Sequence, residues 1–241
     1  LAQCHAARGR YEAASAAYDR GLADGDLTTA QTLKLLNAQA RMWFDSNFQG
    51  AFASYFTRGI EQAAAVYRRI IELPGAANAE KIAAYQGLAN CQLELMDVEA
   101  ANRTLGAALQ LPNLTEAEAF TAMKQQADAR YRQLDDEAAL ALYQRLWSDT
   151  LPAGTRTAIE ERIVAILVAR QRVDEARQAL LAWKRPPLAL ADFYQATGHA
   201  PEAERVWRAV LDDAKSSVNE RVAAVSKLLQ YDLAAKPLAQ F

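Results

Sequence analysis

The chain has 241 residues, 27 of them basic and 29 acidic, for a formal charge of −2, and 51% of it is hydrophobic. Both charge signs are spread along the whole length with no Lys/Arg block, so the electrostatic footprint of a nucleic-acid binder is missing, and no apolar run approaches the ~18 residues needed to cross a bilayer. Ala supplies about a fifth of the residues, Gly and Pro are few, and no long alternation of β-branched and polar residues suggests a strand, so the expected class is all-α.

In chain order, residues 1–7 read as the end of a helix, Gly9-Arg10-Tyr11 as a turn, and 11–23 as the partner helix, closed by Asp24-Gly25-Asp26. A helix over about 28–44 follows. Helices are expected near 47–57 and 60–72, with a break at Arg58-Gly59, although a single Gly costs only about 1 kcal/mol and one long helix is the alternative. Residues 78–112 carry two amphipathic patterns separated by Met96-Asp97. The first keeps Ile82, Tyr85, Leu88, Ala89 and Leu93 on one face, the second Val98, Ala101, Leu105, Ala108 and Leu109. Thr115-x-x-Glu118 is a capping box opening a helix to about Gln133, and its partner runs over about 136–148. Pro152-Ala-Gly154 reads as a connection between that helix and a pair over about 157–171 and 173–183. Lys184-Arg185-Pro186-Pro187 makes an abrupt join to helices over about 188–197 and 200–214. Ser217-x-x-Glu220 then caps a helix to about Leu233, with Val218, Val222, Val225, Leu229 and Leu233 on one side.

One short signature recurs through these elements: an acidic residue, then Ala, then a large residue four positions on. Glu12-Ala13-Ala14 leads to Tyr18, Glu99-Ala100-Ala101 to Leu105, Glu137-Ala138-Ala139 to Tyr143, Asp174-Glu175-Ala176 to Leu180, and Glu202-Ala203 to Trp207. The spacing of four sets Ala and the large residue on one helix face. The acid lies in the first turn, where it favours the helix dipole. Ala101, Ala139 and Ala176 are 38 and 37 residues apart, whereas Ala203 follows Ala176 by only 27, so the junction at Pro186 has lost about ten residues. Between Met42 and Pro74 two registers fit and differ by 12 residues, equivalent to about three added helical turns.

The helix-turn-helix pattern of residues 78–112, repeated along the chain, resembles the tetratricopeptide repeat, a unit of about 34 residues. The resemblance implies a single helical-repeat domain over 1–241, built as a right-handed α-α superhelix of about six helix pairs and cut from a longer solenoid. In proteins of that kind the first helices line a concave side that binds extended peptides or partner helices. The resemblance thus points to Gln86, Asn90 and Glu94 in one first helix, to Lys124, Asp128, Tyr131 and Arg132 in the next, and later to Glu161, Asp192 and Gln195. The set is mixed in charge and lacks the Lys/Asn/Arg cluster by which some relatives clamp a peptide carboxylate.

Six aromatics, Trp43, Phe44, Phe48, Phe52, Tyr55 and Phe56, fall within 14 residues of the irregular stretch at about 43–73. They seal the core around the added turns, or they form a docking surface with Trp43, Phe52 and Phe56 as its candidates. The expected role is a non-catalytic protein-interaction scaffold with a protein or peptide partner, no nucleic acid, no membrane insertion and no cofactor. The alternative is a ligand- or peptide-sensing regulatory domain joined to an effector module outside the segment.

Catalytic constellations are missing. There is no Gly-rich phosphate loop and no nucleophile elbow, and His5 and His199 have no sequence-local metal partners. The carboxylate pairs Asp135-Asp136, Glu160-Glu161 and Asp212-Asp213 read as helix-turn or solvated-face residues. Leu-Ala-Gln-Cys at 1–4 matches Leu-Ala-Asn-Cys at 88–91, an offset of 87 shared by Glu12-Ala13-Ala14 and Glu99-Ala100-Ala101. Cys4 and Cys91 therefore occupy one repeat position, expected to be small, buried and apolar, and too far apart for a disulfide. They do not reveal the redox compartment. Arg outnumbers Lys 20 to 7, which with the abundant Ala suggests a GC-rich bacterial source, cytoplasmic or periplasmic.

Overall fold

The computed structural model describes residues 1–46 and 53–235, with side chains for 1–46 and 57–231. Among the described residues there are thirteen helices and no strand, and no helix is long and apolar enough to cross a membrane. The chain divides into two compact units, Leu1–Leu146 and Trp147–Phe241.

The first unit holds α1 (Ala2–Ala6), α2 (Tyr11–Leu22), α3 (Thr29–Ser46), α4 (Ala53–Glu72), α5 (Asn78–Glu94), α6 (Val98–Ala108), α7 (Glu116–Arg132) and α8 (Asp136–Leu146). Each helix packs on the next, and α5 also touches α7. The second unit holds α9 (Ala153–Ala169), α10 (Val173–Ala182), α11 (Pro187–Ala196), α12 (Ala200–Asp212) and α13 (Val218–Ala235), again packed in succession.

The repeated signature has a physical basis in both units. Ala14, Ala101, Ala139, Ala176 and Ala203 are fully buried, and Tyr18, Leu105, Tyr143, Leu180 and Trp207 are buried one turn later. A methyl side chain at the contact lets two helix axes approach, and the large residue fills the space beside it. A second recurrence is in the backbone. Gly9, Met96, Leu134, Gln171 and Gly198 all have positive φ, between 59° and 80°. After each, the next N–H reaches back over the turn: Arg10 donates to the His5 carbonyl, Asp97 to Gln92, Asp135 to Arg130, Arg172 to Leu167 and His199 to Tyr194, at 2.8–3.0 Å. These are Schellman closures, which satisfy carbonyls that the helix end leaves free. From Met96 to Leu134 is 38 residues, from there to Gln171 is 37, and from Gln171 to Gly198 is 27, the same intervals as the Ala positions.

Some helix starts use capping boxes. Thr115 Oγ1 accepts from Glu118 N–H at 3.3 Å while Glu118 Oε2 accepts from Thr115 N–H at 2.9 Å. Ser217 and Glu220 do the same at the start of α13. Thr28 and Gln31 form a third box at α3 that the sequence reading did not pick out, because Gln replaces the acid.

Three expectations are corrected. There is no break at Arg58-Gly59: α4 runs through Gly59 without interruption, since the cost of one Gly is small against the burial of Ile60, Ala63, Ala64, Val66 and Ile70 on that helix. The helix expected from 157 starts at Ala153, with Pro152 as N-cap and Gly154 in its first turn. Proline's fixed φ suits that position, and Arg156 N–H donates to the Pro152 carbonyl at 2.9 Å. Of the two cysteines, only Cys91 is buried; Cys4 is exposed on the short α1, which packs on α2.

Candidate functional site

In the first unit α5 and α7 touch each other. A small groove of about 200 Å³ between them is lined by Ala79, Ile82 and Ala83 from α5 and by Ala117, Glu118, Thr121 and Gln125 from α7. Helical spacing continues the Ala79–Ala83 line through Gln86 and Asn90, and the Thr121–Gln125 line through Asp128 and Arg132. Gln86 and Asn90 are half-buried, and Glu94 is exposed. None of these residues lines the groove itself.

On α7 the charged candidates are already engaged. Lys124 Nζ donates to Asp128 Oδ2 at 2.7 Å, and the buried Tyr143 of α8 donates its hydroxyl proton to Asp128 Oδ1 at 2.6 Å. One carboxylate oxygen of Asp128 thus fastens α7 to α8, and the other pairs with Lys124 one turn earlier on α7 itself. Arg132 Nε reaches the Asp128 carbonyl at 3.4 Å, and Tyr131 is half-buried.

The aromatic stretch divides. Trp43 is 6% exposed and lies in the core of the first unit. Its indole donates to Ser15 Oγ at 3.3 Å, and its ring leans on Tyr11 with centroids 6.4 Å apart. Buried Gln39 donates to the same Ser15 Oγ and to Asp19 Oδ1, at 2.9 and 3.1 Å, and Arg69 of α4 reaches Asp19 Oδ1 at 3.3 Å. Trp43 is therefore a buried residue held in a polar network, and Phe44 packs against the same apolar cluster. Phe48 and Phe52 lie outside the described residues, as do the side chains of Tyr55 and Phe56. A groove of about 520 Å³ near Trp43, lined by Tyr11, Tyr18, Asn37, Arg41, Met42 and Asp45 among others, is open to solvent.

Another groove lies in the second unit. α9 presents Glu161, Val164, Ala165 and Val168 along one stripe, and α11 presents Ala189, Asp192, Phe193 and Ala196 along another. Between them runs an open groove of about 540 Å³, with Leu180 of α10 also in its wall. That volume falls in the range of small-ligand and peptide side-chain sites. Four of the twelve lining residues carry charge: Glu160, Glu161, Asp192 and Arg185.

Glu160 corrects the sequence reading, which placed it on a solvated face. It is 2% exposed. Its Oε1 accepts from the Trp147 indole at 3.0 Å, its Oε2 lies 3.3 Å from Arg185 Nη1, and Arg156 Nε stands 3.9 Å from Oε1. A buried carboxylate needs such partners, since an isolated one costs many kcal/mol to desolvate. The geometry starts in the backbone: Lys184 adopts φ 52° and Arg185 N–H donates to the Leu180 carbonyl, closing α10. Arg185 then reaches back to α9, where Nη1 also donates to Thr157 Oγ1 at 3.0 Å. Trp147, which donates to Glu160, also stacks on Trp183 with centroids 5.8 Å apart. The shortened Pro186 junction thus supplies the guanidinium that neutralises Glu160. Of the sequence candidates, Glu161 and Asp192 line this groove; both are exposed, and Lys227 Nζ holds Asp192 Oδ1 at 2.9 Å. Gln195 is exposed on α11 outside the lining. The sequence reading missed Arg185, whose signal was the charged residue just before a helix-starting Pro-Pro.

No group of three or more His, Cys, Asp or Glu side chains among the described residues is placed to hold a metal ion. No protein-family model matches the chain, and no curated protein matches it significantly.

Proposed function

We propose that the chain is a tetratricopeptide-like helical-repeat scaffold without catalytic activity, which binds a partner protein's peptide or helix along its first helices. What supports the reading above all is the doubled recurrence: a buried acid-x-Ala contact and a Schellman closure, five times each, at the same residue intervals. A unit of this kind cannot bury its apolar face alone and stacks on its neighbours, leaving one helix of each pair free to line a binding face. Most of the first-helix polar residues are half-buried or exposed rather than packed.

The test is photo-crosslinking. A photoreactive residue is placed in turn at Asn90, Asp128 and Gln195, and the full chain is exposed to an extract of its host cell. A discrete crosslinked protein, competed by excess unlabelled chain, is the expected result. Equal labelling of the whole extract from all three positions, or none from any, would overturn the scaffold reading.

A further inference from the structure

We infer that the groove between α9 and α11 receives a short peptide segment presenting a Lys or Arg side chain next to an apolar one. The inference rests on the scaffold reading and narrows it to one site and one ligand chemistry.

The walls specify the apolar half. Val164, Ala165 and Val168 face Ala189, Phe193 and Ala196 across the groove, and Leu180 adds to the lining. Three of these seven are Ala, so open volume remains where larger side chains would close it. The charges specify the other half. Three carboxylates line the groove against one guanidinium. Arg185 is committed to Glu160 and Thr157, and Lys227 to Asp192. Glu161 is exposed and takes no ion pair among the described residues. One oxygen of buried Glu160, Oε2, accepts no hydrogen bond despite its ion pair, and among the lining side chains themselves carboxylates outnumber the one guanidinium, Glu161 being the carboxylate that no cation holds among the described residues. A cation entering here meets Glu161 and the free oxygen of Asp192 at the rim, while an anion meets repulsion, which selects against acidic ligands as effectively as it attracts basic ones. Low-polarity walls strengthen the attraction relative to open water.

A random dodecapeptide display selection on the full chain tests this, with affinities of the recovered peptides measured by fluorescence polarisation. The expected outcome is enrichment of peptides with Lys or Arg beside Leu, Ile, Val or Phe. Their binding weakens roughly tenfold in the Glu161→Gln/Asp192→Asn variant, and replacing the peptide's Arg by neutral citrulline has a similar effect. Both residues are exposed, so the variant folds as the parent does. Raising salt from 50 to 500 mM weakens parental binding and leaves that variant's residual binding nearly flat. Enriched peptides that are acidic or neutral, or that ignore the double variant but respond to Gln86→Ala or Asn90→Ala, would overturn the assignment while leaving the scaffold reading standing. Recovery of no binding peptide counts against both.

Discussion

Tyr67 of α4 and Gly87 of α5 meet with no room for a methyl group: a Cβ at position 87 would overlap the tyrosine ring at Cζ and Cε1. In the middle of α5 a Gly is otherwise a liability of about 1 kcal/mol against Ala. It is there because the neighbouring helix lays an aromatic ring against its backbone. Gly87→Ala should therefore destabilise by about 1–3 kcal/mol in urea unfolding, despite Ala's better helix propensity. In a Tyr67→Ala background the same change should turn favourable by about 0.5–1 kcal/mol. Equal effects in both backgrounds would show that the ring is not the obstacle.

Leu134 sits at positive φ with its side chain 79% exposed. It bears the strain of the left-handed conformation and gains almost no burial in return. Leu134→Gly should raise stability by about 1 kcal/mol. Gly198→Ala, at the equivalent turn, should lower it by a similar amount. Thermal unfolding followed by circular dichroism reads both, and a loss of stability on Leu134→Gly would refute the assignment of strain to that turn.

Arg185→Met strands the Glu160 carboxylate in the second unit with only the Trp147 indole and a distant Arg156. The expected cost is about 2–4 kcal/mol. Changing Glu160 to Met as well removes the stranded charge, and the double variant should come back to within about 1–2 kcal/mol of the parent, the remainder being the unpaired Trp147 N–H. Additive losses would mean that the two side chains do not act as a pair.

The two thiols should behave as different groups. Burial pushes the Cys91 thiol up to about 12, whereas Cys4 is exposed. Burial also raises the neighbouring Tyr67 hydroxyl above its ordinary 10.0, with Cys91 adding to the shift. At pH 8 the Cys91 thiolate is on the order of one part in ten thousand, and the thiolate is the reactive form. A disulfide reagent should titrate one thiol quickly in the folded chain and the second only after denaturation. Two fast thiols would mean that α4 and α5 open readily around Cys91.

Much of this architecture was legible because helical repeats write their contacts locally. The acid-x-Ala pattern marks a methyl-sized contact, and Ala14, Ala101, Ala139, Ala176 and Ala203 are indeed fully buried. Thr115 and Ser217 mark helix starts because their caps close within three residues. What was not legible depends on distant partners. Glu160 looks like any helical acid until Arg185, Trp147 and Arg156 surround it. Trp43 reads equally as surface or core until its burial and its bond to Ser15, 28 residues earlier, are seen. Asp128 looks free until Tyr143 donates to it from the next helix. The turns hide for another reason: Met96, Leu134 and Gln171 occupy positions where Gly would have announced the left-handed conformation.

The brevity of α11 also sets a length scale. It has 10 residues against 17 for α9, and at ~1.5 Å per residue it spans about 15 Å. The groove has two walls for no more than that distance. An extended chain advances ~3.3 Å per residue, so a strand lying in it would touch both helices over only about four or five residues.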